Sequence, residues 1–179
     1  MSCYCFLFKV LLFKILMIRR CLWVDSFDMK IIQILMDNAR ITWADLASEV
    51  GLSAPAAADR VHRLEEQGVI KGYGAIIDPE YVGCECTAFV DVTLAHPDNR
   101  SIFLQRVQEL KEIQECHHIA GDYDYLLKVR CRNTKDLDRV ISLELKEVPG
   151  VIKTRTTIVM DTHKETHRVP LQSSRFSVK

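Results

Sequence analysis

The chain of 179 residues is long enough for one ordinary domain or two small ones. Its formal net charge is zero and charged residues make up 27% of it, a composition typical of globular proteins. This balance excludes a strongly basic nucleic-acid-binding chain, so any DNA-binding hypothesis has to rest on a motif. The seven cysteines have spacings that match no zinc template, which indicates free thiols in a reducing, cytoplasmic environment.

Residues 1–24 differ from the rest of the chain because they begin with an apolar run. Two lysines interrupt this run, and it is shorter than the roughly 20 residues that a membrane-spanning helix needs. Two arginines follow the apolar core, whereas a signal peptide places its positive charge before it. We interpret residues 1–24 as an N-terminal extension and prefer Met17 as the true start. A short membrane anchor is the alternative, and no membrane partner is expected.

Residues 25–78 carry the pattern of three short helices followed by a β-hairpin. The first helix begins at Asp25, and its apolar stripe consists of Phe27, Ile31, Ile34 and Leu35. Thr42 with Asp45 three residues later has the form of a capping box, which predicts the start of a second helix. Gly51 ends that helix, because glycine accepts the left-handed conformation of a helix C-terminus.

The third helix begins after Ser53, a good N-cap residue, and its apolar stripe consists of Ala57, Val61 and Leu64. The run "VIKGYGAII" contains two β-prone stretches split by glycines and predicts a small hairpin. The short turn "VGLS" between two helices lets the second helix lie in the major groove of DNA. The sequence therefore predicts a winged helix-turn-helix domain over residues 25–78.

The second half of the chain alternates strands and helices after a connector at 79–85. Strands are predicted at 87–95, 113–120, 125–131 and 151–160, with helices at 100–111 and 135–147. The order βαββαβ is the ferredoxin-like pattern, which gives an α+β protein with a second domain at 86–162. Residues 163–179 are polar and are interpreted as a tail.

Two motifs, "RVHRLEEQGVIKGY" and "GDYDYLLKV", resemble the leucine-responsive/asparagine-responsive (Lrp/AsnC) regulators at matching separation. The resemblance runs from about Asp25 to about Thr162. It implies an N-terminal winged helix-turn-helix that binds double-stranded DNA and a ferredoxin-like domain that dimerises and binds a small effector, often an amino acid. It also implies further assembly of the dimers, often to octamers. No catalytic constellation accompanies these motifs, so neither an enzyme nor a cofactor is predicted.

The DNA-contacting residues that the resemblance implies lie on the second and third helices; they are Thr42, Ser53, Ala54, Ala56, Arg60, His62 and Arg63. The stretch "APAAAD" departs from the basic or hydroxyl-rich family pattern, and Asp59 is expected to repel phosphate. Residues 25–78 carry five Lys/Arg and nine Asp/Glu, a net charge of −4. Two alternatives therefore stay open. Arg60 and Arg63 could form a solvated face paired with neighbouring Glu66 or Glu65, and the protein could be a small-molecule-sensing interaction module with little DNA affinity.

Asp122 and Asp124 follow Gly121 between two predicted strands. A catalytic pair lacks partner groups here, and a calcium or magnesium loop needs more oxygen ligands. Cys116 and His118 share a strand face but provide just two metal ligands, so no metal site is predicted; His117 points the other way, as a paired surface or core histidine. A plain turn, with Gly121 supplying backbone freedom and Asp122 bonding the backbone, remains one interpretation.

The resemblance favours an effector pocket formed by His118, Gly121, Asp122, Asp124, Thr154 and Thr156. A carboxylate can hold the ammonium of an amino acid, while backbone N–H groups and hydroxyls can hold its carboxylate. The glycine lets a ligand approach the backbone closely. Tyr123 and Tyr125 alternate with the aspartates and are expected to pack in the dimer interface.

Overall fold

The computed structural model describes residues 24–171, which form two compact units. Residues 24–75 with 166–171 form the first unit, and residues 76–165 form the second. The predicted connector contains a short 3-10 turn at Glu80–Val82 and is part of the second unit. The predicted extension, including the start at Met17, and the end of the predicted tail lie outside the described residues. Within residues 24–171 no helix is long and apolar enough to cross a membrane.

The first unit contains three helices: α1 (Ser26–Asp37), α2 (Trp43–Val50) and α3 (Ala54–Glu66). The N-caps predicted at Thr42 and Ser53 are confirmed, but the carboxylate of Asp45 accepts the Thr42 hydroxyl at 2.6 Å and not the backbone N–H that a capping box requires. Asp25 forms a capping box with Asp28, and the hydroxyl oxygens of Thr42 and Ser53 accept backbone N–H groups three residues on, at 3.2 and 3.4 Å. Gly51 ends α2 with φ of 75°, the left-handed conformation that favours glycine. Local sequence signals therefore set both ends of the helix-turn-helix.

A hydrophobic core formed by all three helices holds the first unit together. Its buried members are Ile31, Leu46, Ala47, Val50, Ala57, Val61 and Leu64. The inward stripe of α1 differs from the prediction, because Phe27 is 39% exposed while Asp28 is fully buried. The carboxylate of Asp28 is therefore part of the interior of this unit, and it needs hydrogen-bond partners there.

The predicted wing hairpin is wrong, because residues 69–78 contain no strand. Glycines at 72 and 74 offer no side chain for cross-strand packing, and an isolated two-stranded hairpin is marginal in water. Ile76 is 84% exposed, so this apolar side chain does not contribute to a packed sheet face. The first unit is therefore a helix-turn-helix without wing strands.

The second unit has a four-stranded antiparallel sheet with the order β2-β3-β1-β4. The strands are β1 (Cys86–Leu94), β2 (Ile113–His118), β3 (Tyr125–Cys131) and β4 (Val151–Ile158). Helix α4 (Arg100–Glu109) joins β1 to β2. Helix α5 (Thr134–Arg139) follows β3 and continues as a π-helical turn, Val140–Leu145, where a regular helix to residue 147 was predicted. The ferredoxin-like βαββαβ prediction is confirmed.

The two faces of the sheet differ in what covers them. One face and the two helices form a second core, which includes Ala88, Val90, Val92, Phe103, Val107, Leu127, Val129, Leu137 and Leu145. Cys86 and Cys131 lie opposite each other on this face, and burial together with the Cys86 thiol raises the pKa of Cys131 to about 12. The other face carries Lys128 and Arg130, both of which bind the carboxylate of Glu165. The chain after β4 therefore lies along the face that has no helices.

Candidate functional site

Of the predicted DNA-contacting residues, Ala54 packs against the first hydrophobic core and the others lie outside it. Thr42 and the α3 cap Ser53 are exposed, and Ala54 and Ala56 are half-buried in the first turn of α3. Arg60 is half-buried, and His62 and Arg63 are exposed, in the later turns of the same helix. The structure therefore brings six of the seven residues onto α3 and its cap, and all of these six except Ala54 lie outside the hydrophobic core.

Arg60 and Arg63 are not paired with Glu65 or Glu66, and this predicted alternative is wrong. Nη1 of Arg60 donates to Oδ2 of Asp25 at 2.7 Å and to Oδ1 of Asp28 at 2.8 Å. Nη2 of Arg63 donates to both oxygens of Asp28, at 3.1 and 2.9 Å. The arginines of α3 are therefore bound to the N-terminus of α1.

The two glutamates at the end of α3 have other neighbours. His62 lies 3.8 Å from Glu65 and 3.3 Å from Glu66. The hydroxyl of Tyr73 donates to Glu65 at 2.8 Å, and burial with this hydrogen bond raises the pKa of Tyr73 to about 12. The C-terminal end of α3 thus carries its own carboxylate cluster, separate from the arginine pair.

Electrostatics at the α1–α3 junction favour the charged forms of Asp25 and Arg60. Burial alone would raise the pKa of Asp25, but the backbone N–H of Asp28 and the guanidinium of Arg60 together lower it below its usual value. Hydrogen bonds to Asp25 and Asp28 raise the pKa of Arg60. A sequence signal for this cluster existed: two aspartates spaced i, i+3 at the start of one helix match two arginines spaced i, i+3 on another.

Asp124 lies in the segment 119–124 between β2 and β3 and bonds to β1. Its backbone N–H donates to the carbonyl of Val92 at 3.0 Å, and its Oδ2 accepts the N–H of Leu94 at 2.8 Å. Leu94 follows the point where the β1–β4 register shifts. The carboxylate of Asp124 therefore supplies a backbone acceptor at an irregularity of the ladder.

The plain-turn interpretation assigned its two key roles to the wrong residues. The carboxylate that bonds the backbone is that of Asp124, while Asp122 is exposed. Gly121 does not have the positive φ that demands glycine, and a Cβ there would meet nothing within 4 Å. The space above Gly121 is therefore open, which suits the close approach of another group.

The remaining predicted effector residues do not converge within one chain. His118 lies on β2, at one edge of the sheet, with its ring centroid 5.3 Å from that of Tyr125. Thr154 and Thr156 lie on β4, at the opposite edge. Three strand spacings of about 4.8 Å separate these edges, a distance of about 14 Å. A single amino acid cannot touch both sets in one subunit.

Two cations that the sequence interpretation missed lie near the 119–124 segment. The ring centroid of Tyr123 is 5.0 Å from Nζ of Lys153 and 5.3 Å from the guanidinium carbon of Arg155. Nε of Arg155 also donates to Oδ2 of the buried Asp91 at 3.1 Å. Strand alternation could have placed Lys153 and Arg155 together, because both lie on the face of β4 opposite to Thr154 and Thr156.

A cavity of about 280 Å³ lies elsewhere in the second unit, beside the chain after β4. Its charged lining residues are Asp78, Glu80, Glu85, Arg130, Asp161 and Glu165, and none of the predicted effector residues lines it. Among residues 24–171, no group of three or more His, Cys, Asp or Glu side chains is placed to hold a metal ion. The charged groups near Asp124 therefore remain the best suited to bind a small zwitterion.

A helix-turn-helix unit followed by an antiparallel α+β unit is the architecture of a DNA-binding regulator with a separate sensing domain. The AsnC-type helix-turn-helix domain matches residues 24–65, and the Lrp/AsnC ligand binding domain matches residues 87–169. The chain belongs to the Lrp/AsnC family of DNA-binding transcriptional regulators.

Similar proteins agree over most of the chain. The leucine-responsive regulatory protein of Haemophilus influenzae is 40% identical over 151 residues, which cover 83% of this chain and 91% of that protein. The protein of the same name from Escherichia coli K12 is 39% identical over 152 residues, with 84% and 93% covered.

Two solved structures that resemble this chain hold an amino acid. A transcriptional regulator of Neisseria meningitidis in complex with L-Met has a TM-score of 0.77 at 29% identity and covers 82% of this chain and 96% of its own. A feast or famine regulatory protein of M. tuberculosis complexed with L-methionine has a TM-score of 0.76 at 32% identity, with 82% and 98% covered.

Proposed function

We propose that this regulator reads double-stranded DNA with the first turns of α3 and anchors itself on phosphates with the flanking polar groups. Ser53 can hydrogen-bond base edges, and the methyl groups of Ala54 and Ala56 suit the thymine methyl. Phosphate contacts fall to Thr42, Arg60, His62 and Arg63. The observation that carries this proposal is that all of these side chains except Ala54 lie outside the hydrophobic core, on or beside one capped helix. We also propose that the protein acts in the cytoplasm.

The DNA proposal is tested by placing a negative charge on the reading surface. Ala56→Asp adds a carboxylate at the third position of α3, where acidic residues favour the helix itself. We expect binding to a duplex from the regulator's own upstream region to weaken by at least about tenfold, measured by fluorescence anisotropy. The matched control is Ala95→Asp, the same change at an exposed position of the second unit. Equal losses in both variants would contradict the assignment of α3.

The second proposed activity is the binding of an amino acid by the segment 119–124 and its neighbours. The carboxylate of Asp124 holds the ammonium, and Gly121 allows close approach. The remaining predicted residues are His118, Asp122, Thr154 and Thr156. Support comes from the open space over Gly121 and from two similar regulators whose structures contain methionine.

The separation of His118 from the two threonines suggests that more than one copy of the chain builds the site. We therefore propose a homodimer that assembles further, with octamers as the expected form. Each pocket then combines the 119–124 segment of one copy with groups of another. The size of the assembly is measured directly by light scattering coupled to size-exclusion chromatography.

Calorimetric titration of L-methionine and L-leucine tests the effector proposal. Asp124→Asn keeps an oxygen acceptor for the N–H of Leu94 but loses the charge, so the fold is preserved while ammonium binding weakens. Loss of a charged hydrogen bond of roughly 1.5–3 kcal/mol corresponds to about tenfold to hundredfold weaker binding. The control is Asp122→Asn, the same change on an exposed neighbour. Equal affinities of wild type and Asp124→Asn in an intact assembly would refute the role of Asp124.

A further inference from the structure

The carboxylate of Asp28 connects the first helix of the first unit to the proposed DNA-reading helix. Asp28 is 0% exposed, and its oxygens accept three hydrogen bonds from Arg60 and Arg63 of α3. A fourth comes from the backbone N–H of Asp25, at 3.2 Å. A buried carboxylate with this many donors is fixed in place, because loss of any donor leaves charge without compensation.

Each arginine binds the aspartates through one terminal nitrogen and keeps other donors for outside partners. Arg60 uses Nη1 and Arg63 uses Nη2, whereas a guanidinium has five N–H donors in a planar fork. The side chains are 24% and 44% exposed, so part of each fork faces solvent. Phe27 supports Arg60 further, with its ring centroid 5.3 Å from the guanidinium carbon.

We propose that Asp28 is a positioning residue for DNA binding, which holds Arg60 and Arg63 so that their outward N–H groups meet phosphates. This inference rests on the proposed role of α3. A free arginine has to give up side-chain rotamer entropy when it binds phosphate. An arginine already held by Asp28 loses less, so a buried negative charge strengthens the binding of a polyanion.

The proposal predicts the opposite sign from simple charge arithmetic. Removal of a carboxylate from a DNA-binding unit reduces repulsion, so on electrostatic grounds alone binding tightens. Under the positioning mechanism, Asp28→Asn weakens binding because Arg63 loses its carboxylate and Arg60 loses one of its two. Asp59→Asn is the matched control, since it removes the same charge from an exposed residue of α3.

The experiment measures affinity and its salt dependence for the full chain on one duplex. For Asp28→Asn we expect about tenfold weaker binding. The slope of log affinity against log salt should become shallower by about 0.9 for each phosphate that the arginines no longer neutralise. For Asp59→Asn we expect equal or tighter binding with an unchanged slope. A change in salt slope separates positioning from a purely structural role, which lowers the folded fraction without altering how the folded molecules meet DNA.

Asp25→Asn provides a second variant that keeps the fold, because asparagine caps a helix as well as aspartate does. It removes one of the two carboxylates from Arg60, so binding should weaken by a few-fold, less than for Asp28→Asn. Circular dichroism establishes whether each variant is folded. If Asp28→Asn does not fold, Asp25→Asn decides the question.

Two results would overturn the positioning role. One is tighter or unchanged binding by folded Asp28→Asn, and the other is tighter or unchanged binding by Asp25→Asn. Failure of the α3 assignment looks different, because Ala56→Asp would then bind DNA as well as wild type. The two ideas can therefore fail separately.

Discussion

Asp28 in the helical unit and Asp124 in the sheet unit are both carboxylates that bond protein groups, but to different extents. Asp28 is buried and both of its oxygens are bonded to two arginines and a backbone N–H. Asp124 is half-buried, and its Oδ2 accepts one backbone N–H. The α1–α3 junction is thus completed by a single chain, whereas His118 and the two threonines of the proposed effector site lie at opposite sheet edges.

The largest expected effect comes from deleting the buried carboxylate. Asp28→Ala takes away the carboxylate that Arg63 binds and one of the two that Arg60 binds, so the free energy of unfolding of the first unit should fall by about 3–5 kcal/mol. Urea denaturation followed by far-UV circular dichroism measures this loss. A loss below about 1 kcal/mol would mean that solvent replaces the carboxylate easily and that Asp28 resembles Asp124 after all.

Two glycines with positive φ sharpen the contrast between the units. A Cβ at Gly150, with φ of 91°, would lie 2.2 Å from Cγ of Asn99, whereas a Cβ at Gly51, with φ of 75°, would meet nothing within 4 Å. Gly150→Ala should therefore cost about 2–3 kcal/mol and Gly51→Ala about 1 kcal/mol of unfolding free energy.

A double variant separates backbone strain from the clash. Asn99 makes no side-chain capping bond to α4, so Asn99→Gly, which removes both the Cγ and the Cβ that would lie 2.2 and 2.5 Å from a Cβ at residue 150, should alone cost roughly a few tenths of a kcal/mol. Combined with Gly150→Ala, it should reduce the loss to the level of Gly51→Ala, as measured by urea denaturation. An undiminished loss in the double variant would show that strain, and not Asn99, limits this turn.

Asp124→Ala should destabilise the second unit by about 1 kcal/mol, because the half-buried N–H of Leu94 loses its acceptor. This is well below the loss expected for Asp28→Ala. Thermal unfolding measured by calorimetry compares the two variants under one condition. If Asp124→Ala were the more damaging change, the carboxylate would have to be regarded as structural, and the effector assignment would weaken.

Asp59→Arg tests the charge of the reading helix itself. Replacing an exposed carboxylate with a cation on α3 should tighten non-specific DNA binding by a few-fold. The salt slope should steepen by about 0.9 for each phosphate newly neutralised. Anisotropy titrations at several salt concentrations measure both quantities. An unchanged slope would place residue 59 away from the phosphate backbone.

The last predicted effect is a loss of stability that develops only at high pH and differs between the units. The raised pKa values of Tyr73 and Cys131 mean that folding favours their protonated forms, so their contributions are complete below the unfolded pKa and decline as pH rises towards 12. This decline in stability begins at about pH 8.5 for Cys131 and at about pH 10 for Tyr73.

Single substitutions assign these two slopes. Cys131 is buried, so its slope can approach about 1.4 kcal/mol per pH unit, while the partly exposed Tyr73 should contribute less. Cys131→Ala should remove the slope of the second unit and Tyr73→Phe that of the first, as measured by urea denaturation at increasing pH. A slope that survives Cys131→Ala would point to another group.

Most of the fold could be predicted from local signals. Apolar periodicity and capping residues placed the three helices, and alternation and turn residues placed the four strands. The prediction of a wing hairpin was wrong because β-propensity at 69–78 does not reveal whether a partner strand is present. The buried Asp28 was missed because its partners lie 32 and 35 residues away, and periodicity counts apolar side chains alone.

The candidate sites were predicted less completely than the fold. Strand alternation could identify which side chains share a face of the sheet. It could not identify which strands lie side by side, and the order β2-β3-β1-β4 places His118 far from Thr154. The role of Asp124 depends on a backbone N–H exposed at the register shift of β1, which has no sequence signature. Long-range pairing, more than local conformation, therefore limited the prediction.

The two hydrophobic cores have no residue in common, and this separation has a consequence for how such regulators change over evolutionary time. A substitution that repacks Leu46 or Val61 leaves the packing around Phe103 untouched. The surface that selects an operator can thus diverge while the sensing unit is inherited intact. New pairings of operator and effector can arise by recombination between relatives, without a new fold.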